Sequence, residues 1–347
     1  DSVSALGKPW VDRAARNLRG VLEVPFQHRR EDRTLVVYDS ESELAVLLTE
    51  GYRGAVPEGD FLPFKGEAPE QILAAFDELE AGDLVVLVQS TSFRLDAFRI
   101  RLELFKRDLK VIEHPHLARM TGKEAEYYVD SLEYDAEYYR GVGRALQRRI
   151  DESQSCVIES GGERLVYPKG FEPAKVNIGD YAGMKNTGGQ YPIGEVFTES
   201  KDLEAVYGRV QVSFFGDTSF TVNRPPSPMT LLVERGRVTE VQNSTPEFDR
   251  VLEEIRDHEG EVWLRELGFG MNRAFSAERV VTDIGTFERM CGVHLSLGAK
   301  HATYNKPQIR KRSARFHVDV FVLPDAVLLG EDCIYSAGSW CVLSEPS

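Results

Sequence analysis

The sharpest chemical signal in the chain is F-H-V-D-V-F-V at 316–322, where His317 and Asp319 stand two residues apart in an apolar, β-branched run. In a strand, residues i and i+2 leave the same face, so the imidazole and the carboxylate point together while Phe316, Val318 and Val320 pack on the other side. Holding both polar groups in such a segment is costly unless something pairs with them, and a divalent cation satisfies both. A hydrogen-bonded His–Asp pair at a sheet edge is the alternative.

Three further segments embed similar groups. G-V-H-L-S-L-G (292–298) centres His294 in a strand-like run, Y-P-I-G-E-V-F-T-E (191–199) places Glu195 beside Val196 and Phe197, and V-W-L-R-E-L-G-F-G-M-N (262–272) does the same for Glu266. Arg265 is an alternative partner for Glu266, and a lone histidine such as His294 is more often a satisfied core residue. The chain has seven histidines, and three of them, His294, His301 and His317, fall within 294–317. Histidine is the commonest metal ligand and the usual proton carrier near neutral pH. Together, three carboxylates and two imidazoles form a ligand set suited to two metal ions roughly 3.5–4 Å apart, sharing a carboxylate.

These residues need a scaffold. In the first half, TLVVYD (34–39), DLVVLVQS (83–90) and LKVIEH (109–114) read as buried strands. Helical patterns over SESELAVLLTEGYRG and from Phe93 to Asp108 separate them, which predicts βαβ units and a mainly parallel sheet. A long charged helix is expected from Lys123 to about Asp151. Beyond residue 155 short strands alternate with Gly, Pro and Asp, interrupted by a helix starting at Thr245-Pro246-Glu247, a favourable N-terminal sequence. The expected architecture is an N-terminal α/β domain over 1–170 and a mostly antiparallel β, metal-binding catalytic domain with a few helices over 171–347.

In order along the chain, G-E-V-F-T, L-R-E-L-G-F-G-M-N, G-V-H-L-S-L-G and R-S-A-R-F-H-V-D resemble the metal-binding segments of the thermophilic aminopeptidases, the aminopeptidase T and aminopeptidase S group, over roughly residues 185–347. The resemblance implies metal ligands at Glu195, Glu266, His294, His317 and Asp319, an N-terminal α/β domain, a β-rich catalytic domain and a homodimer. One position departs from the family. Its tyrosine, seven residues after the strand histidine and thought to assist the chemistry, is His301 here, and Tyr304 follows three residues later. Either of these two is a candidate to stabilise the developing oxyanion or relay a proton. The resemblance implies two divalent ions of zinc, cobalt or manganese and cleavage of an N-terminal peptide or amide bond. The same fold also resembles that of 2,5-dihydroxypyridine dioxygenase, which uses one iron held by two histidines and an aspartate. His317 and Asp319 suit that triad with His294 or His301 as the second imidazole.

Lys300, His301, Lys306, Arg310, Lys311, Arg312 and Arg315 crowd a short stretch of an otherwise acidic chain. They suggest a positive rim for an anionic small molecule or short peptide, or else a solvated loop. His114 and His116 end a strand of the predicted parallel sheet, where such folds often bind ligands, although a surface loop at a Pro turn is the plainer reading.

The bulk composition removes several classes. A net charge of -14 disfavours nucleic acid. No apolar run approaches the ~20 residues of a membrane span. Four cysteines without a CxxC pair argue against both a disulfide scaffold and a cysteine zinc site. GVGRAL (141–146) lacks the last glycine of a dinucleotide fingerprint, and HEGEV (258–262) lacks the second histidine of H-E-x-x-H. With an opening, DSVSALGKPW, unlike a secretory signal, the expectation is a cytoplasmic protein.

Overall fold

Runs of consecutive Val and Leu build the first half of the protein, because a parallel strand buried on both faces needs apolar residues without alternation. A computed structural model describes residues 6–95 and 99–346. Its chain divides into two units, one of residues 1–136 and 179–193, the other of 137–178 and 194–347. This interleaving differs from the single cut after 170 that composition suggests, since the chain returns to the first unit for a short segment.

The first unit holds a five-stranded sheet in the order 60–63, 34–38, 84–88, 110–114, 188–190, all pairs parallel. Leu84–Val88 is buried throughout, and Leu35, Val37, Val85, Leu87 and Val111 share a core cluster with Ile72 and Phe76. Ser42 caps the helix Glu43–Ala55 by accepting from the Ala45 amide. The helix expected over 93–108 runs from Ile100 to Lys106, with residues 96–98 outside the described part. The long helix expected from Lys123 is two pieces, Lys123–Ser131 and Gly143–Glu152, with a π-helical turn at Glu137–Val142.

His114 is not poised for a ligand. It is completely buried, with Nε2 2.6 Å from the Tyr52 hydroxyl and Nδ1 2.7 Å from that of Tyr128. Tyr128 donates its own hydrogen to the Tyr191 carbonyl, so His114 Nδ1 is the donor to Tyr128, and Tyr52 donates to Nε2. Burial lowers the His114 pKa to about 3, and the ring is a neutral link in the core.

The second unit is β-rich and antiparallel. An eight-stranded sheet runs in the order 237–242, 229–234, 207–212, 163–167, 156–160, 326–329, 332–336, 339–340. A seven-stranded sheet runs 222–223, 214–216, 318–322, 292–297, 264–270, 195–199, 175–177. The helix Pro246–Glu259 begins where the sequence places it, with Thr245 Oγ1 accepting from Phe248 N. The protein is thus an α/β unit with a parallel sheet and a mostly antiparallel β unit. No helix among the described residues is long and apolar enough to cross a membrane.

Candidate metal centre

All five carboxylate and imidazole positions singled out in the sequence sit on or beside four neighbouring strands of the seven-stranded sheet: Glu195–Glu199, Leu264–Gly270, Gly292–Leu297 and Val318–Val322. The register brings them together. Gly270 pairs with Glu195, Gly268 with His294, and Ser296 with Asp319. Directly paired residues project to one side of a sheet, so one face collects these groups. His317 immediately precedes its strand rather than lying within it.

Two features of the strand Leu264–Gly270 make room for the cluster. Gly268 lies under the His294 ring, and a Cβ there would overlap the imidazole. Between Leu264 and Leu267 the strand carries one more residue than its partner, a bulge at Arg265-Glu266. Bulges re-aim side chains, and the amide they free needs another acceptor. Ser296 Oγ supplies it, at 2.9 Å from Glu266 N.

Glu266 is the hub. Its Oε1 lies 3.2 Å from His294 Nε2, and its Oε2 lies 3.4 Å from His301 Nε2 and 3.5 Å from His317 Nε2. His294 Nε2 is also 3.5 Å from Glu195 Oε2, and His317 Nε2 is 3.1 Å from Asp319 Oδ1. The side chain of His317 is 29% exposed, against 2% for His294, so the His317 side is the open one.

The structure adds two residues that strand patterns did not reveal. Glu288 joins His317 and Asp319, while Glu195, Glu266 and His294 form a second triplet; within each, one ligand atom per residue lies within 4.8 Å of the others. The Arg289 guanidinium sits between them, 2.9 Å from Glu288 and 3.6 Å from Glu195. Both follow the short helix Ile284–Phe287, outside any alternating pattern, and an adjacent Glu-Arg pair within the otherwise apolar F-E-R-M-C-G-V was the available signal.

The buried groups of the cluster shift one another's titration strongly. Burial raises the Glu195 carboxyl, against the pull of Arg289 and His294. Burial would raise Glu266 too, but hydrogen bonding and charge from His294, His301 and His317 hold it well below the carboxylate range. Glu288 is raised well above that range by burial and by the neighbouring Asp319 charge. Burial would lower His317, yet Asp319 and Glu266 outweigh it and push its pKa up to about 10.

The residues fit a cation. Glu195 Oε2 is buried without a hydrogen-bond partner among the described residues. Two ligand atoms each about 2.1 Å from one ion stand roughly 3.0–3.4 Å apart at octahedral to tetrahedral angles, close to the nitrogen–oxygen separations here. The second nitrogen of His317 donates to the Lys300 carbonyl at 3.2 Å, the outer hydrogen bond that leaves Nε2 free to ligate.

Other sequence candidates lie differently. The Tyr304 hydroxyl donates to the Pro173 carbonyl at 2.6 Å, although its ring is 5.2 Å from that of His301. Arg265 is no partner of Glu266: its donors go to Glu199 and to the Ala299 and Tyr304 carbonyls. Lys306 does not belong to a positive rim, being buried with Nζ bonded to Glu172 and to the Ser200 and Lys201 carbonyls. Lys300, Arg310, Lys311, Arg312 and Arg315 are exposed.

No protein-family model matches the chain, and no curated protein matches its sequence. Among solved structures it is similar to wild-type AmpT from Thermus thermophilus, with a TM-score of 0.58 and 15% identity over 95% of this chain and 99% of that one. At this identity the likeness is one of fold, and it extends over both units of the chain.

Proposed function

We propose that the protein is a dinuclear metal-dependent hydrolase, most specifically an aminopeptidase-like enzyme cleaving an N-terminal peptide or amide bond. The observation that carries this reading is the position of Glu266, whose two oxygens face His294 on one side and His317 on the other, as a shared ligand between two subsites would. One subsite would comprise Glu195, Glu266 and His294, and the other Glu266, His317 and Asp319 with Glu288 beside them. Zinc, cobalt and manganese all suit such imidazole and carboxylate donors. The similarity to AmpT, an aminopeptidase T, supports the same direction.

When bound, the two cations supply Lewis-acid polarisation of the scissile carbonyl and activation of water. The protein's own groups do the rest. Lys300 O fixes the His317 tautomer, Ser296 fixes the Glu266 backbone, and Arg289 offsets part of the charge of Glu195 and Glu288. His301, buried at the same carboxylate, is the candidate to stabilise the developing oxyanion or relay a proton. The exposed cations from Lys300 to Arg315 favour a small or short-peptide substrate with an anionic group. A homodimer in the cytoplasm completes the proposal.

The test is hydrolysis of aminoacyl amides and short peptides by protein loaded with single ions under anaerobic conditions. Turnover that Glu266→Gln abolishes is the expected result, and turnover unchanged in that variant overturns the assignment. One observation favours a second reading: His317 and Asp319 lie 3.1 Å apart, and with His294 or His301 as the second imidazole they would supply the two-histidine, one-carboxylate set of mononuclear iron oxygenases such as 2,5-dihydroxypyridine dioxygenase. Fe(II)-dependent oxygen consumption with an aromatic acid would select it.

A further inference from the structure

Glu259 is the last residue of the helix Pro246–Glu259, where a carboxylate faces the negative end of the helix dipole and weakens the helix. Its hydrogen-bond partners lie elsewhere. Oε1 accepts from the Ala299 amide at 2.9 Å, and Oε2 accepts from the amides of Arg315 and Phe316 at 2.7 and 3.2 Å. None of these three amides has a main-chain acceptor among the described residues. Residues 299 and 315–316 are the two ends of the basic loop that joins the strands Gly292–Leu297 and Val318–Val322. One side chain therefore ties both ends of that loop to the end of a helix.

The tie brackets the outer hydrogen bond of the candidate metal centre. Lys300, whose carbonyl accepts from His317 Nδ1, follows Ala299 in the chain, and His317 follows Phe316. Between them Lys300 N donates to the Phe316 carbonyl at 2.9 Å. Glu259 thus holds the residue before each partner of the His317–Lys300 bond. His258 supports the same place, its ring 5.5 Å from that of Phe316 in an edge-on arrangement. The His258-Glu259 pair, which lacks the second histidine of H-E-x-x-H, acts on the site through the backbone and not as ligand and base. Accepting at both loop ends takes two acceptor oxygens. A glutamine of the same shape offers one, and turns its NH2 against an amide hydrogen at the other end.

We propose that Glu259 is a positioning residue for His317. By fixing Ala299 and Phe316 it keeps the Lys300 carbonyl on Nδ1 and aims Nε2 at the site, while touching neither metal nor substrate. The inference rests on the reading of His317 as a metal ligand for its consequence, but the clamp itself stands on the hydrogen bonds of Glu259.

The experiment compares wild type with Glu259→Gln by zinc calorimetry and by 113Cd NMR of histidine-labelled protein, where cadmium–nitrogen coupling assigns each signal to His294 or His317. The variant is expected to bind one of its two zinc ions ~10–100-fold more weakly, the scale for losing a ligand's outer partner. The cadmium signal that moves should be the one coupled to His317, with that coupled to His294 unmoved. Equal weakening of both subsites, as general destabilisation would give, overturns the proposal, and so does no change in either. Should the variant not fold, amide hydrogen exchange in metal-free wild type tests the clamp. The Ala299, Arg315 and Phe316 amides should be protected, and exchange at the rate of open amides overturns the proposal. A wild type that binds no metal fails the metal-centre reading instead, and the exchange measurement still decides the clamp.

Discussion

The guanidinium of Arg265 meets the carboxylate of Glu199 through two parallel hydrogen bonds, of 2.7 and 2.9 Å, entirely inside the protein. The pair lies next in sequence to the central ligand candidate Glu266 and holds the loop bearing His301 through the Ala299 and Tyr304 carbonyls. Breaking a buried pair leaves an uncompensated charge, so Arg265→Met should cost about 3–5 kcal/mol in urea unfolding. The double variant with Glu199→Leu should cost less than the sum of the two single changes. A loss below about 1 kcal/mol for Arg265→Met would show that the pair does not anchor the site.

Gly268 tests the close approach of His294 to the backbone. Gly268→Ala should leave the fold intact, because its φ is not in the left-handed region, but displace the imidazole. Zinc affinity should drop by at least ~10-fold, the scale seen when a ligand's support is removed. Unchanged affinity by calorimetry would mean that His294 does not ligate from this position.

The pH dependence should carry opposite signs in the two units. His317 is pushed up to about 10, above its unfolded value, so its contribution is present below about pH 6.5 and is lost as pH rises toward 10. Metal-free protein should therefore lose stability across that interval, and His317→Asn should flatten the decline. Binding a cation must displace the His317 proton, so proton release on zinc addition should be measurable below pH 10 in weak buffer.

His114 acts in the other direction. Its folded pKa of about 3 lies below the unfolded value, so its contribution is present above about pH 6.5 and is lost as pH falls toward 3. His114→Gln should be less stable than wild type at pH 7, and the gap should narrow in acid. A gap that widens in acid would contradict the neutral, doubly bonded ring.

The parallel strands of the first unit were legible because Thr34–Tyr38 and Leu84–Val88 are buried on both faces and read as unbroken apolar runs. Gly188–Gln190 was not, since a three-residue edge strand of glycines carries no hydrophobic signal, and its return to the first sheet defeats a single domain cut. In the second unit the period-two pattern and the isolated polar residues in V-H-L-S-L and H-V-D-V pointed to the residues that the structure gathers. Glu288 and Arg289 escaped because they lie in a turn, where no periodicity marks direction. The partner of Arg265 escaped for another reason: Glu199 lies on a neighbouring strand opposite Glu266, and no pattern within one segment reveals that Arg265 reaches it.

The most direct measurement is metal content per chain, on protein purified anaerobically without chelator and then reloaded with single ions, in parallel for wild type and Glu266→Gln. The account predicts about two zinc, cobalt or manganese ions per wild-type chain and loss of bound metal in the variant, because both subsites lean on that carboxylate. One iron per chain with Glu266→Gln unaffected, or no bound metal under any loading, would contradict it.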